Sequence, residues 1–202
     1  MADAPKWPPY PTGPIDSIFA VGVATIKYSE IEASLVFIFA NVLGIPHKLA
    51  TMIHSRVSSD ACIKLIIQIL PPKPAYGPEL QAVSEVRYFL EAFQICTENR
   101  NHLVHSTIAP MGTPDTVLYK TSKQGNVILS MPDGQDLRQI ADDMHTYHLY
   151  GRNLGNAIAA HSTKQPIFPF PWPDRPQLPR SLDYTSDPLP LRSTRQGGPR
   201  QP

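Results

Sequence analysis

Cysteine is nearly absent from this chain: Cys62 and Cys96 are the only two among 202 residues. Both fall in apolar helical patterns, and neither belongs to a CxxC or a zinc-type spacing. They read as small reduced hydrophobes, with no disulfide framework and no cysteine-built metal centre. An excess of charge of one sign is missing too. The 18 Lys and Arg against 17 Asp and Glu leave a net charge of +1, so no global field draws nucleic acid, and any phosphate-binding surface has to be a local patch. Long apolar runs are lacking as well. The most apolar stretch, Ala33 to Leu43, reaches about half the length of a bilayer-spanning helix, and Glu30 and Glu32 stand just before it. The opening MADAPKWPPYPTGP has prolines where a secretory signal has a basic flank and an apolar core. These absences predict a cytoplasmic protein with no membrane span. There is also no phosphate-cradling glycine loop, no GxSxG, no aromatic–basic interleaving of the kind that binds single strands, and no internal repeat.

Proline, by contrast, is abundant, and its placement divides the chain. The 23 prolines crowd the first fourteen residues, the connector Pro71-Pro72-Lys73-Pro74 and everything after Gln165. The stretches between are nearly free of proline, as helices require. A first helix is predicted to open near Thr12-Gly13-Pro14 and run to about Leu43, with Ile15, Ile18, Phe19, Gly22, Ile26, Ala33, Phe37 and Ala40 as its apolar stripe. Gly44-Ile45-Pro46 ends it and starts a short helix over 47–56. Ser58 or Ser59 then caps a third helix through Leu70. Gly77-Pro78-Glu79 opens the fourth, which ends near Val104. Residues 116–131 change period: Val117–Thr121 and Asn126–Leu129, separated by residues 122–125, predict a β-hairpin. Asp133, with Asp136 three positions on, caps a fifth helix through about Ala160 along Leu137, Ile140, Ala141, Met144, Tyr147, Gly151, Leu154 and Ile158. The expected fold is an all-α bundle with long helices one, four and five and a small β-hairpin before the last. A Pro-rich lead over 1–11 precedes the domain at 12–161. A Pro-rich tail over 162–202 is expected to be largely disordered and mobile beyond about residue 175, with only Phe168, Phe170 and Trp172 able to strap onto the body.

The most informative stretch is Arg100-Asn101-His102-Leu103-Val104-His105, near the end of the fourth helix. The seam Ala82, Val86, Phe89, Phe93, Cys96 alternates steps of four and three, and its next position is Arg100, followed by Leu103. A guanidinium on an apolar seam needs a partner or a wet cleft, because burying it alone costs several kcal/mol, roughly. Asn101 and His105 are one turn apart and share a face. Arg100 and His105 lie about 140° apart around the axis, so the arginine has to swing to meet the imidazole, or the two meet across a two-fold axis. Fixed positive charge for a phosphate, beside an imidazole that moves protons near neutral pH, supplies the parts for cutting RNA through its own 2′-hydroxyl without a metal.

The arginine, the polar Asn101, three further residues and His105, together with the order of helices, resemble the HEPN superfamily over roughly residues 12–161. That resemblance implies a homodimeric, metal-independent endoribonuclease with paired motifs at the dimer cleft. Arg100 would position phosphate, Asn101 would orient it, and His105 would be the acid or base. Glu98 and His102 fall in or beside the motif without an assigned role. The inserted hairpin departs from the minimal HEPN fold.

Plainer readings compete. Basic residues near a helix C-terminus satisfy late carbonyls and the helix dipole, so Arg100, His102 and His105 could be only a well-made helix end. A non-catalytic HEPN-like dimerisation and interaction module, whose proline-rich tail recruits a partner, is the alternative from a different class. The pairs His102/His105 and His145/His148 have a spacing that suits a metal, but no acidic residue accompanies them in a ligand pattern. His47, His54 and His161 read as surface or cap positions. Cys96 lies one turn before Arg100, where its thiol pKa could be lowered, although a core thiol is the simpler reading. No metal or cofactor is expected. The expected partners are RNA and a second copy, with a regulatory protein left open.

Overall fold

The computed structural model describes residues 15–71, 78–109, 117–121, 127–130, 134–162 and 171–182. It is a helical bundle with helices α1 (Ile15–Leu43), α2 (His47–His54), α3 (Ser59–Ile69), α4 (Pro78–His105) and α5 (Gly134–Ser162). The helix ends follow from local chemistry. Gly44 takes a left-handed φ of 65°, which lets Ile45 N–H reach Ala40 O at 3.0 Å and Gly44 N–H reach Asn41 O at 3.3 Å. That pair of bonds is a Schellman ending, and Pro46 blocks any continuation. At α3, Ser58 is the N-cap and its hydroxyl accepts from Ala61 N–H at 3.2 Å. The proposed helix opening at Thr12–Pro14 lies outside the described residues.

Helix α5 buries the row expected of it, from Leu137 through Met144, Tyr147 and Leu154 to Ile158. Helix α1 does not. Ile15, Phe19 and Ile26 are 82%, 73% and 62% exposed, while Ser17, Ala20, Ala24, Tyr28, Ile31, Leu35 and Ile38 are buried. The expected stripe of α1 is therefore corrected by about half a turn in its first part. The cause is the closeness of α5, which selects small residues. A Cβ on Gly151 would stand 2.4 Å from the Phe89 ring and 2.9 Å from Ser34 Cβ, and one on Gly155 would stand 2.3 Å from the Phe37 ring. With those glycines bare, Ser34 Oγ reaches His148 O at 3.2 Å and Asn41 Nδ2 reaches Gly155 O at 3.1 Å. Matching contacts ascend both helices together, so α1 and α5 run parallel. Helix α4 runs antiparallel to them, with Tyr28 meeting Thr97 and Tyr150 meeting Glu85.

Among the described residues three short strands follow α4: β1 (Thr107–Ala109), β2 (Val117–Thr121) and β3 (Val127–Ser130). Strand β2 is central and antiparallel to both neighbours, with Ile108 opposite Leu118 and Tyr119 opposite Leu129. The turn of the expected hairpin, at 122–126, lies outside the described residues. Strand β1, three residues long, was too short to carry a period of its own.

Trp172 docks on the body as the sequence allowed, and the tail expectation is corrected over the residues that follow it, to Leu182. This segment lies in the groove between α4 and α5: Leu182 is buried, and Trp172 packs on the core and stacks on His161 at 4.7 Å between ring centres. Composition suggested disorder because apolar side chains are few. The backbone hydrogen bonds and ion pairs that hold the segment do not register in composition. Phe168 and Phe170, and the rest of the proposed tail, lie outside the described residues.

The glycine contacts give a paired test of the bundle. Gly151→Ala is expected to destabilise the protein by about 1–3 kcal/mol through overpacking against Phe89 and Ser34. Gly22→Ala, where an added Cβ meets nothing within 4 Å, is expected to stabilise by about 0.5–1 kcal/mol through helix propensity. Urea unfolding midpoints of the two variants check the contrast; equal shifts contradict this account of α1–α5 packing.

Candidate functional site

The last turns of α4 carry the site because its buried face is wide there. Cys96, Asn99 and Leu103 are fully packed, Arg100, Asn101 and His102 are half-buried, and His105 is exposed. Arg100 Nη1 donates to Asn101 Oδ1 at 3.0 Å, which draws the guanidinium around the helix toward the face that Asn101 shares with His105. The guanidinium carbon lies 5.6 Å from the centre of the Tyr28 ring, within cation–π range. Arg100 Nε is buried and has no hydrogen-bond partner among the described residues. Among the described residues no carboxylate forms an ion pair with Arg100. Among the described residues the half-buried cation is thus held by a ring face and an amide oxygen.

Tyr28 is the floor of this site. Its hydroxyl lies 3.0 Å from Thr97 Oγ1, and Thr97 donates its own proton to Phe93 O at 2.8 Å, so Tyr28 is the donor. Burial raises the Tyr28 pKa above its ordinary value. The sequence pattern missed Tyr28 because it lies on the true buried row of α1 and off the expected stripe. The exposed His105 imidazole makes no hydrogen bond to Arg100 or Asn101 within one chain. The structure therefore joins Arg100 to Asn101 and leaves His105 one turn away, open to solvent.

The neighbouring Asn99 was also missed, and it is 1% exposed. Its Nδ2 donates to Arg180 O at 2.7 Å and its Oδ1 accepts from Leu182 N–H at 3.0 Å, clamping the 171–182 segment. Asn99 falls on the row Glu85, Ala92, Asn99, spaced by seven, all of it buried. A polar residue at such a position was the available signal.

Other candidates resolve differently. Burial, with a smaller contribution from the Asp143 charge, pushes the Cys96 thiol up to about 12; the sequence-level suggestion of a lowered pKa beside Arg100 is corrected, and Cys96 is a core residue. His145 and His148 stack with ring centres 6.5 Å apart. His148 Nδ1 is engaged by Glu30 O at 3.1 Å and Ser34 Oγ at 3.2 Å. Among the described residues no three His, Cys, Asp or Glu side chains converge as a metal site, and no helix is long and apolar enough to cross a membrane. No protein-family model, curated protein or solved structure matches the chain.

The two asparagines separate structure from chemistry. Asn99→Ala is expected to cost about 1–3 kcal/mol, because it strands the 180 carbonyl and the 182 amide, and to speed tryptic cutting at Arg180–Ser181. Asn101→Ala is expected to leave stability within about 0.5 kcal/mol. Urea unfolding with limited trypsinolysis checks both; protection of Arg180–Ser181 in the Asn99 variant contradicts the clamp.

Proposed function

We propose that this protein is a metal-independent endoribonuclease of HEPN type, cutting RNA through its 2′-hydroxyl at a cleft formed by two copies. The observation that carries this reading is Arg100: a half-buried guanidinium with an orphaned Nε and, among the described residues, no carboxylate partner. Such a charge is best satisfied by an anion, and phosphate matches the planar fork of donors. Asn101 holds the fork in place from one side and Tyr28 from below, so its direction is set before any substrate arrives.

In this mechanism Arg100 binds a non-bridging oxygen of the scissile phosphate and offsets charge developing on it. A neutral His105 takes the 2′-hydroxyl proton as the oxygen attacks phosphorus. The partner subunit's His105, protonated, donates to the leaving 5′-oxygen. The products are a 2′,3′-cyclic phosphate and a 5′-hydroxyl end. One chain supplies a single imidazole at this position, which is why the cleft is placed between two copies. The nucleophile belongs to the RNA, so no step calls for a metal-bound water. A cytoplasmic setting and a regulatory protein partner belong to the same proposal.

A non-catalytic HEPN-like dimerisation and interaction module is the second reading. It is favoured by the lack of a hydrogen bond between His105 and Arg100 within one chain, and it predicts no cleavage with the dimer retained.

His105→Ala is expected to lower cleavage by about a hundred- to ten-thousandfold with the fold intact. Arg100→Ala is expected to abolish it. Wild-type cleavage persists in EDTA and leaves a cyclic phosphate, which end-group analysis of the fragments detects. Cleavage that survives His105→Ala, or stops in EDTA, overturns the assignment. A monomer by light scattering at micromolar concentration removes the two-copy cleft.

A further inference from the structure

Segment 171–182 is more specifically held than a loosely covering tail requires. From 173 onward its burial has a period of three: Pro173 and Pro176 are half-buried, Pro179 and Leu182 are buried, and every residue between them is exposed. Three residues per turn is the period of a polyproline II helix, which proline's fixed φ favours. The lengths agree. From Arg175 to Leu182 is seven residues, about 22 Å at polyproline II rise, and the matching path from Glu85 to Asn99 is fourteen helical residues, about 21 Å.

A polyproline II chain makes no internal hydrogen bonds, so its carbonyls depend on outside donors. The groove supplies them at successive levels. Tyr88 O–H donates to Pro176 O at 2.5 Å, Tyr147 O–H to Gln177 O at 3.0 Å, and Asn99 Nδ2 to Arg180 O at 2.7 Å. Charge fixes both ends. Arg175 Nε lies 2.9 Å from Glu85 Oε2, and its guanidinium carbon is 4.9 Å from the Tyr88 ring centre. Arg180 Nη1 lies 2.5 Å from Asp136 Oδ1, and its backbone N–H donates to Asp143 Oδ2 at 2.9 Å. Glu85 is 6% exposed, with Tyr150 O–H donating to it at 2.7 Å. A buried carboxylate with one neutral donor is incomplete without a cation. The groove therefore reads backbone carbonyls, proline spacing and two arginines, features that any chain of the pattern Arg-Pro-x-x-Pro-Arg presents.

We propose that the α4–α5 groove is a recognition site for polyproline II peptides of the form Arg-Pro-x-x-Pro-Arg, that residues 171–182 are its tethered occupant, and that such a segment of a partner protein exchanges with it. This stands independently of the RNA reading. The tether gives the resident segment an effective concentration on the millimolar scale, so the wild type masks its own groove, and weakening the resident arginines opens it.

The test uses the full chain and a fluorescein-labelled peptide with the sequence of residues 171–182, read by anisotropy. Full-length protein carrying Arg175→Ala and Arg180→Ala, both exposed positions, is expected to bind this peptide at least tenfold more tightly than the wild type. A peptide with both arginines replaced by alanine, or with scrambled order, is expected to bind at least tenfold more weakly. In the ¹⁵N-labelled wild type, excess unlabelled peptide is expected to shift the Leu182 amide resonance to its unbound position as Asn99 releases it. No binding to the double variant up to about millimolar peptide, equal affinity for the arginine-free peptide, or an unmoved Leu182 resonance overturns the proposal.

Discussion

The approach of α1 to α5 at Gly151 and Gly155 is the constraint on which the rest of the structure depends. With no side chain at these positions, Ser34, Phe37 and Phe89 occupy the space that a Cβ would take, and polar groups of α1 bond directly to carbonyls of α5. That closeness decides which face of α1 turns inward. It places Ala20 and Ala24 against the core, leaves Phe19 and Ile26 outside, and brings Tyr28 across to α4. The Tyr28 ring lies under Arg100 because two glycines on another helix set the register.

The site inherits its electrostatics from that placement. A tyrosine offers an uncharged π-face and a carboxylate does not, so Arg100 is oriented without being neutralised. The contrast with Arg175 and Arg180 is instructive, since each of these is paired with an acidic side chain. Among the described residues carboxylates pair with the two arginines of the docked segment and none pairs with Arg100, whose hydrogen-bond partner Asn101 sits one turn from the exposed His105. The adjacent Asn99 faces inward and grips the docked segment at residues 180 and 182, while Arg100 and Asn101 stand on the half-buried side of the same turn of α4.

Much of this was legible in the residues, for reasons that can be stated. Gly44 before Pro46 and the hydroxyl of Ser58 are local signals, and local chemistry decides helix ends. The α5 stripe was legible because large apolar residues there do face the core. The same rule failed on α1, where close packing put the small residues inside and left the large ones out. It also failed to find Tyr28, which depends on that reversed face. Arg100 was singled out by its place on the α4 seam and Asn101 by its place in the motif, but their mutual hydrogen bond is a property of the fold. The docked segment was lost because proline was weighed by composition. Its period of three, at Pro173, Pro176 and Pro179, was present in the sequence and is a different periodicity from those of helices and strands.

The central claim is that the uncompensated Arg100 charge is an open phosphate site. Binding of a random-sequence 2′-O-methyl RNA pool, which keeps the phosphates but lacks the attacking hydroxyl, tests it without requiring cleavage. Equilibrium affinities of the wild type and Arg100→Gln, measured at one fixed salt concentration, are to be compared. The account predicts at least a tenfold loss in the variant and a shallower salt dependence, by about one phosphate contact. Equal affinities and equal salt slopes would contradict it.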